Sequence, residues 1–248
     1  MIIDTHIHCS TTRKNSGAEL LSFLDESGID KAIVCGWEVL LKRDDSIEHN
    51  KRLAKICQEN SGRLAGLATV HLVNGKKAVD EAQFCIEQAG FRGFKVHPWM
   101  QGESIFDETM YAICQLCAQY NTPIMFHDGT PPCSMSSQIG LLAKMFPETK
   151  LILGHGGILH FWEEAIEVAR QNSNVYIMLC GGHPLAMQKT CEQVDSDRII
   201  FGTDYLGDGN GSLIKYRKKM VDNLPIENSL REKIYGKNAL KLYNINHW

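Results

Sequence analysis

The chain has 248 residues and a formal net charge of -3, a length that suits one (β/α)8 barrel of about 250 residues without an appended domain. With 44% hydrophobic and 22% charged residues, its composition is globular and excludes wholesale disorder. Twenty-six basic against 29 acidic residues, with no basic stripe carrying interleaved aromatics, exclude an electrostatic platform for nucleic acid.

Short β-rich runs alternate with longer helical patterns along the whole chain. Strands are predicted over 2–8, 31–37, 64–71, 93–97, 123–128, 151–156, 175–181 and 199–204. Helical patterns lie near 17–27, 46–60, 75–89, 107–120, 135–146, 161–172, 184–195 and 211–223. Asn60 with Gly62, and Gly90, punctuate the helix ends. Strands separated by ten or more helical residues pair in parallel, and eight such units close into a barrel. A last helical pattern over 229–243 packs outside that ring. An open doubly wound sheet is the alternative fold, but no Gly-rich phosphate loop follows the first strand, and GxGxxG and Walker patterns are absent. The expectation is one α/β domain over 1–248, a TIM barrel with an extra C-terminal helix.

The opening Met1-Ile2-Ile3-Asp4 lacks a charged leader, and no run approaches the ~20 apolar residues of a membrane span. Nine scattered cysteines, an odd number in mostly apolar surroundings, match a reducing compartment, where Cys acts as a small hydrophobe. Cys114 and Cys117 form a CxxC on a helical apolar pattern and are read as core. The expected location is the cytoplasm, away from membranes. Self-association is left open.

Polar residues gather at the carboxyl ends of the predicted strands, the active-site mouth of such a barrel. They are His6 and His8, His71, Lys95 and His97, His127, His155 and Asp204. His6 and His8, at i and i+2, leave one strand face and are spaced to reach one metal. A lone His127 or His155 is more often a hydrogen-bonded core histidine than a ligand. Asp204 after an apolar strand needs a cation, a helix N-terminus or solvent. Together these groups form a borderline-soft N/O set suited to Zn²⁺, with Mn²⁺ or Fe²⁺ as alternatives.

The segments DTHIH at 4–8, KVHP at 95–98, FHDG at 126–129, GHGG at 154–157, FGTDYLG at 201–207 and KNALKLY at 237–243 resemble the amidohydrolase superfamily over the full length. The similarity is greatest to its amidohydrolase-related branch of hydrolases and decarboxylases. The resemblance implies that His6, His8, His127 and Asp204 hold one divalent metal and that His155 contacts the activated water. Lys95 stands where binuclear members carry a carboxylated, metal-bridging lysine. One ion is the favoured count and two the alternative.

The implied activity is hydrolysis of a C–N or C–O bond beside a carbonyl, in a small, carboxylate-bearing molecule. The attacking water is metal-activated, its pKa lowered from 15.7 to about 7. Asp204 relays the proton. Non-oxidative decarboxylation is the alternative within the family, and a metal-binding protein without catalysis is the alternative of another class. A phosphoesterase is weaker, since it would bring more metal ligands.

Asp4, in phase with His6 and His8, is read as structural. Arg13, in the polar loop after the first strand, suits a substrate carboxylate, whereas Lys14 is read as solvated. His97, Trp99 and His183 are placed to line the mouth, and Asp107 and Glu108 take no role. The short LGDGNG loop at 206–211 favours a small ligand over a polymer.

Overall fold

The computed structural model describes residues 1–207 and 211–246. Residues 208–210 of the LGDGNG loop, and with them the expectation of a short cover there, lie outside the described residues.

Eight parallel strands run among the described residues: β1 (Ile3–Cys9), β2 (Lys31–Gly36), β3 (Leu64–Leu67), β4 (Phe94–Val96), β5 (Ile124–Phe126), β6 (Leu151–Leu153), β7 (Val175–Leu179) and β8 (Ile199–Phe201). The helices between them are α1 (Ser16–Ser27), α2 (Ser46–Glu59), α3 (Lys76–Glu87), α4 (Pro98–Gln101), α5 (Glu108–Gln119), α6 (Ser136–Met145), α7 (Trp162–Gln171), α8 (Pro184–Gln193) and α9 (Ser212–Asp222). After them come α10 (Asn228–Glu232), a π-helical turn at Lys233–Lys237, and α11 (Asn238–Leu242). The strand–helix order is as the alternation predicts. The short α4, capped by the His97 side chain and started by Pro98, is an addition.

β1–β2–β3 form one arc and β4 to β8 another. Two seams join the arcs: Ala68 bridges Phe94, and Ile7 bridges Tyr205. Across the second seam His8 N–H donates to the Tyr205 carbonyl and Asp204 N–H to the His6 carbonyl, both at 2.7 Å. The result is a closed (β/α)8 TIM barrel, which leaves no free sheet edge among the described residues.

Alternation along the strands sorts side chains into two cores. Ile33 and Cys35 of β2 join Ile3, Leu67, Met125, Ile152 and Met178 in the barrel interior. Ala32 and Val34 join the larger cluster beneath the helices. In β1 the register shifts between Asp4 and Ile7. Ile3 therefore lies in the interior cluster and Ile7 in the outer one, although strict alternation would place both on one face. Cys114 and Cys117 are buried in α5, as core residues. No helix among the described residues is long and apolar enough to cross a membrane.

Candidate metal centre

At the mouth, Asp204 Oδ1 lies 3.2 Å from both His6 Nε2 and His8 Nε2. Lys95 Nζ donates to His6 Nε2 at 3.0 Å. His6 and Lys95 are fully buried, while the Asp204 side chain keeps 28% exposure, so the carboxylate is the group that faces the opening. His155 gathers with His6 and Asp204, their ligand atoms all within 4.8 Å of one another.

Second contacts hold this arrangement in register. Asp4 accepts from His6 N–H (3.1 Å), Thr203 N–H (3.0 Å) and the Thr203 hydroxyl (2.5 Å). It thereby ties β1 to the residue before Asp204, a structural role, although the register shift after Asp4 breaks the simple phase with His6 and His8. Asp128 accepts from His155 N–H and Gly157 N–H, both at 2.7 Å, and from the Ser136 hydroxyl. Gly202 is required by packing: a Cβ there would meet Met178 Sδ at 2.3 Å and His6 Cβ at 2.8 Å. Asp204 adopts a left-handed backbone (φ 53°), strain of the kind that a functional site retains.

Burial and the Lys95 cation hold the His6, His97 and His127 imidazoles below their ordinary range, and burial does the same to His155. That shift favours the neutral ring a metal requires. Burial would lower His8 as well, but Cys35 and Asp204 outweigh it and raise its pKa to about 9. Burial would raise the Asp204 carboxyl, but His6, His8 and His155 outweigh it and hold it well below the usual carboxylate range. Burial also lowers Lys95.

The donor set fits a divalent cation. Metal–ligand bonds of about 2.0–2.1 Å separate neighbouring donors by roughly 3.0 Å in an octahedron and 3.4 Å in a tetrahedron, and the two 3.2 Å contacts fall between. His6 Nε2 faces an ammonium and a carboxylate at once, and its single lone pair or proton satisfies only one of them. His6 Nδ1 and His155 Nε2 are buried without a partner.

Other predicted residues are placed differently. His127 Nε2 contacts Thr130 Oγ1 at 3.0 Å, and its ring stacks on His97 at 3.8 Å and meets His155 at 4.2 Å. It sits beside the cluster, with its nitrogen turned to Thr130. His71 does not join the mouth: its Nε2 donates to the Val39 carbonyl at 2.7 Å and its Nδ1 faces Glu103 at 3.5 Å. Arg13 shares a cleft with His8 and Tyr205 but pairs with Glu19 at 2.8 Å. Trp99 is exposed, and His183 caps α8. Two neighbours of His8 carry no signal in the sequence reading. Trp37 lies edge-on to its ring at 5.2 Å, and Cys35 Sγ lies 3.4 Å from Nδ1. Both end an apolar strand whose inward phase one sequence does not reveal.

The chain is similar in fold to three crystal structures in particular. One is 5-carboxyvanillate decarboxylase from Novosphingobium aromaticivorans, complexed with manganese and a nitrobenzoic acid (15% identity, TM-score 0.77, covering 99% of this chain and 96% of that one). Another is 2,6-dihydroxybenzoate decarboxylase from Rhizobium (17%, 0.77, 99% and 99%). The third is 4-oxalomesaconate hydratase from Rhodopseudomonas palustris (18%, 0.78, 98% and 96%). The sequence model of the amidohydrolase family matches residues 3–245, and the chain belongs to that family.

Proposed function

We propose that the chain is a divalent-metal-dependent, non-oxidative decarboxylase of a small hydroxylated aromatic or enoic acid, which puts decarboxylation ahead of the hydrolysis that the sequence ranks first. One observation carries this reading. The partly exposed carboxylate of Asp204 stands at a mouth flanked by flat rings: His8 against Trp37, and His97 stacked on His127. Such walls suit a planar ligand, and the fold is shared with decarboxylases named for carboxylated phenols.

His6, His8, His127 and Asp204 would hold the ion. The Thr130 contact does not keep His127 away from it: one neutral hydrogen bond contributes about 1 kcal/mol. Structural Zn²⁺ sites release ~10–16 kcal/mol over four ligands, several per ligand. The bound ion supplies positive charge to the substrate's oxygens. Zinc follows from the donor types and manganese from the relatives; both are to be loaded.

Asp204, ionised at rest, accepts the proton of the substrate hydroxyl and returns it to the ring carbon that bears the carboxylate. The C–C bond then breaks, its electron pair restores the ring as the phenolate, and CO₂ leaves. A solvent proton neutralises the phenolate. His155, neutral and with Nε2 unpartnered, positions a substrate oxygen.

The test is a panel of hydroxybenzoates, enoic acids, lactones and N-acyl acids, with the apo, Zn²⁺ and Mn²⁺ proteins scored separately for CO₂ and for acid release. Metal-dependent CO₂ from a hydroxylated acid is expected, falling about 10²–10⁴-fold in Asp204→Asn. Acid release from a lactone or amide, with no CO₂ from any acid, returns the case to hydrolysis. A loaded protein inert across the panel returns it to metal binding alone.

A further inference from the structure

We infer that Cys35 is a sulfur donor to the ion at this centre and that it biases the site toward thiophilic metals. The inference rests on the metal-centre reading above.

Cys35 is the last inward-facing residue of β2, immediately beneath the mouth and fully buried. Its Sγ lies 3.4 Å from His8 Nδ1 and 4.0 Å from His8 Nε2. His6, His8 and Cys35 form a second ligand group whose donor atoms all lie within 4.8 Å, sharing His6 with the His6–His155–Asp204 group. A second observation concerns a member of that group: the buried Nδ1 of His6 has no partner.

With a metal–sulfur bond of about 2.3 Å and a metal–nitrogen bond of about 2.05 Å, neighbouring S and N donors stand roughly 3.5 Å apart. The distance from Sγ to His8 Nε2, the nitrogen that also faces Asp204, is 4.0 Å, so ligation closes it by about half an ångström. The thiol's alternative is a long contact of 3.5 Å to the Ile7 carbonyl, and a thiol is a weak donor. Ligation therefore forfeits little. As the sulfur–metal bond forms, the thiol proton passes to solvent.

Imidazole and carboxylate alone accept Mn²⁺ as readily as their geometry allows, whereas a thiolate favours Zn²⁺ and other soft ions. Cys35 thus separates this chain's metal preference from that of an all-N/O centre. Cys180, also buried in the barrel interior, lies outside both ligand groups and serves as the internal control.

The experiment loads the full chain with Co²⁺ and records stoichiometry and the near-ultraviolet spectrum of wild type, Cys35→Ser, Cys35→Ala and Cys180→Ser. The expected result is a thiolate-to-cobalt charge-transfer band in wild type and Cys180→Ser that vanishes in both Cys35 variants. Circular dichroism establishes that each variant is folded. In Zn²⁺/Mn²⁺ competition, Cys35→Ser should shift the occupancy ratio toward manganese by about tenfold or more. Full cobalt occupancy without the band, or a band that survives Cys35→Ser, overturns the inference and leaves the metal centre standing. Failure of folded wild type to bind cobalt, zinc or manganese overturns both.

Discussion

Replacing Asp4 with alanine tests whether the centre is held by its tether or by its ligands alone. The carboxylate is fully buried and accepts three hydrogen bonds, two from backbone N–H groups and one from the Thr203 hydroxyl. Alanine leaves those donors unpaired, at about 1–3 kcal/mol each. Against this stands relief of the buried carboxylate, whose pKa burial pushes up to about 7. The net loss is about 2–4 kcal/mol, or about 5–15 °C in Tm for a chain of this size. Asp4→Asn should lose no more than about 1 kcal/mol, because its amide oxygen still accepts both N–H groups and its NH₂ meets the Thr203 oxygen. Urea and thermal melts of chelator-treated protein measure stability free of metal linkage, and zinc titration measures the site. Metal affinity should fall about 10–100-fold in the alanine variant, as for loss of a group that orients ligands. An alanine variant that melts with wild type and binds zinc as tightly refutes the tether. An asparagine variant as damaged as alanine shows that charge, not hydrogen bonding, is what matters.

His127→Asn should lose metal as completely as His6→Asn, whereas His155→Asn should keep its ion and lose turnover; elemental analysis of the three purified variants decides, and an empty His155→Asn site makes His155 the ligand. Glu38 accepts from the Ser10 and Thr12 hydroxyls and from Thr11 N–H and hydroxyl. Burial would raise its carboxyl, but those hydrogen bonds lower it from 4.5 to about 2. Its contribution to stability is therefore complete above about pH 4.5 and lost as pH falls through about 2. Urea midpoints across that window should drop less steeply in Glu38→Gln than in wild type, and parallel slopes would show that the loop does not depend on the charge.

Much of this architecture is legible because βα units repeat a simple alternation, and because a strand's carboxyl end is where polarity interrupts an apolar run. His6, His8 and Asp204 announce themselves that way, and the structure brings them together. His71 has the same signature, yet it turns to the Val39 carbonyl and Glu103, since β3 ends at Leu67 and its following residues leave the barrel. The side-chain direction of His127 depends on Thr130, a contact between loop residues. Cys35 and Trp37 are hidden for another reason: β2 is apolar on both faces, so its sequence carries no phase.

The seam between β8 and β1 gives the centre a mechanical character. His6 and His8 stand on β1 of the three-stranded arc, while His127, His155 and Asp204 lie in the loops that follow β5, β6 and β8 of the five-stranded one. An ion held by these residues, as proposed, would clasp the barrel wall, which at that point is closed by the paired contacts of His6 and His8 with Asp204 and Tyr205. Each tenfold excess of ion over its Kd adds about 1.4 kcal/mol to the closed form. On the proposed metal reading, stripping the ion would loosen that seam as well as remove a reagent.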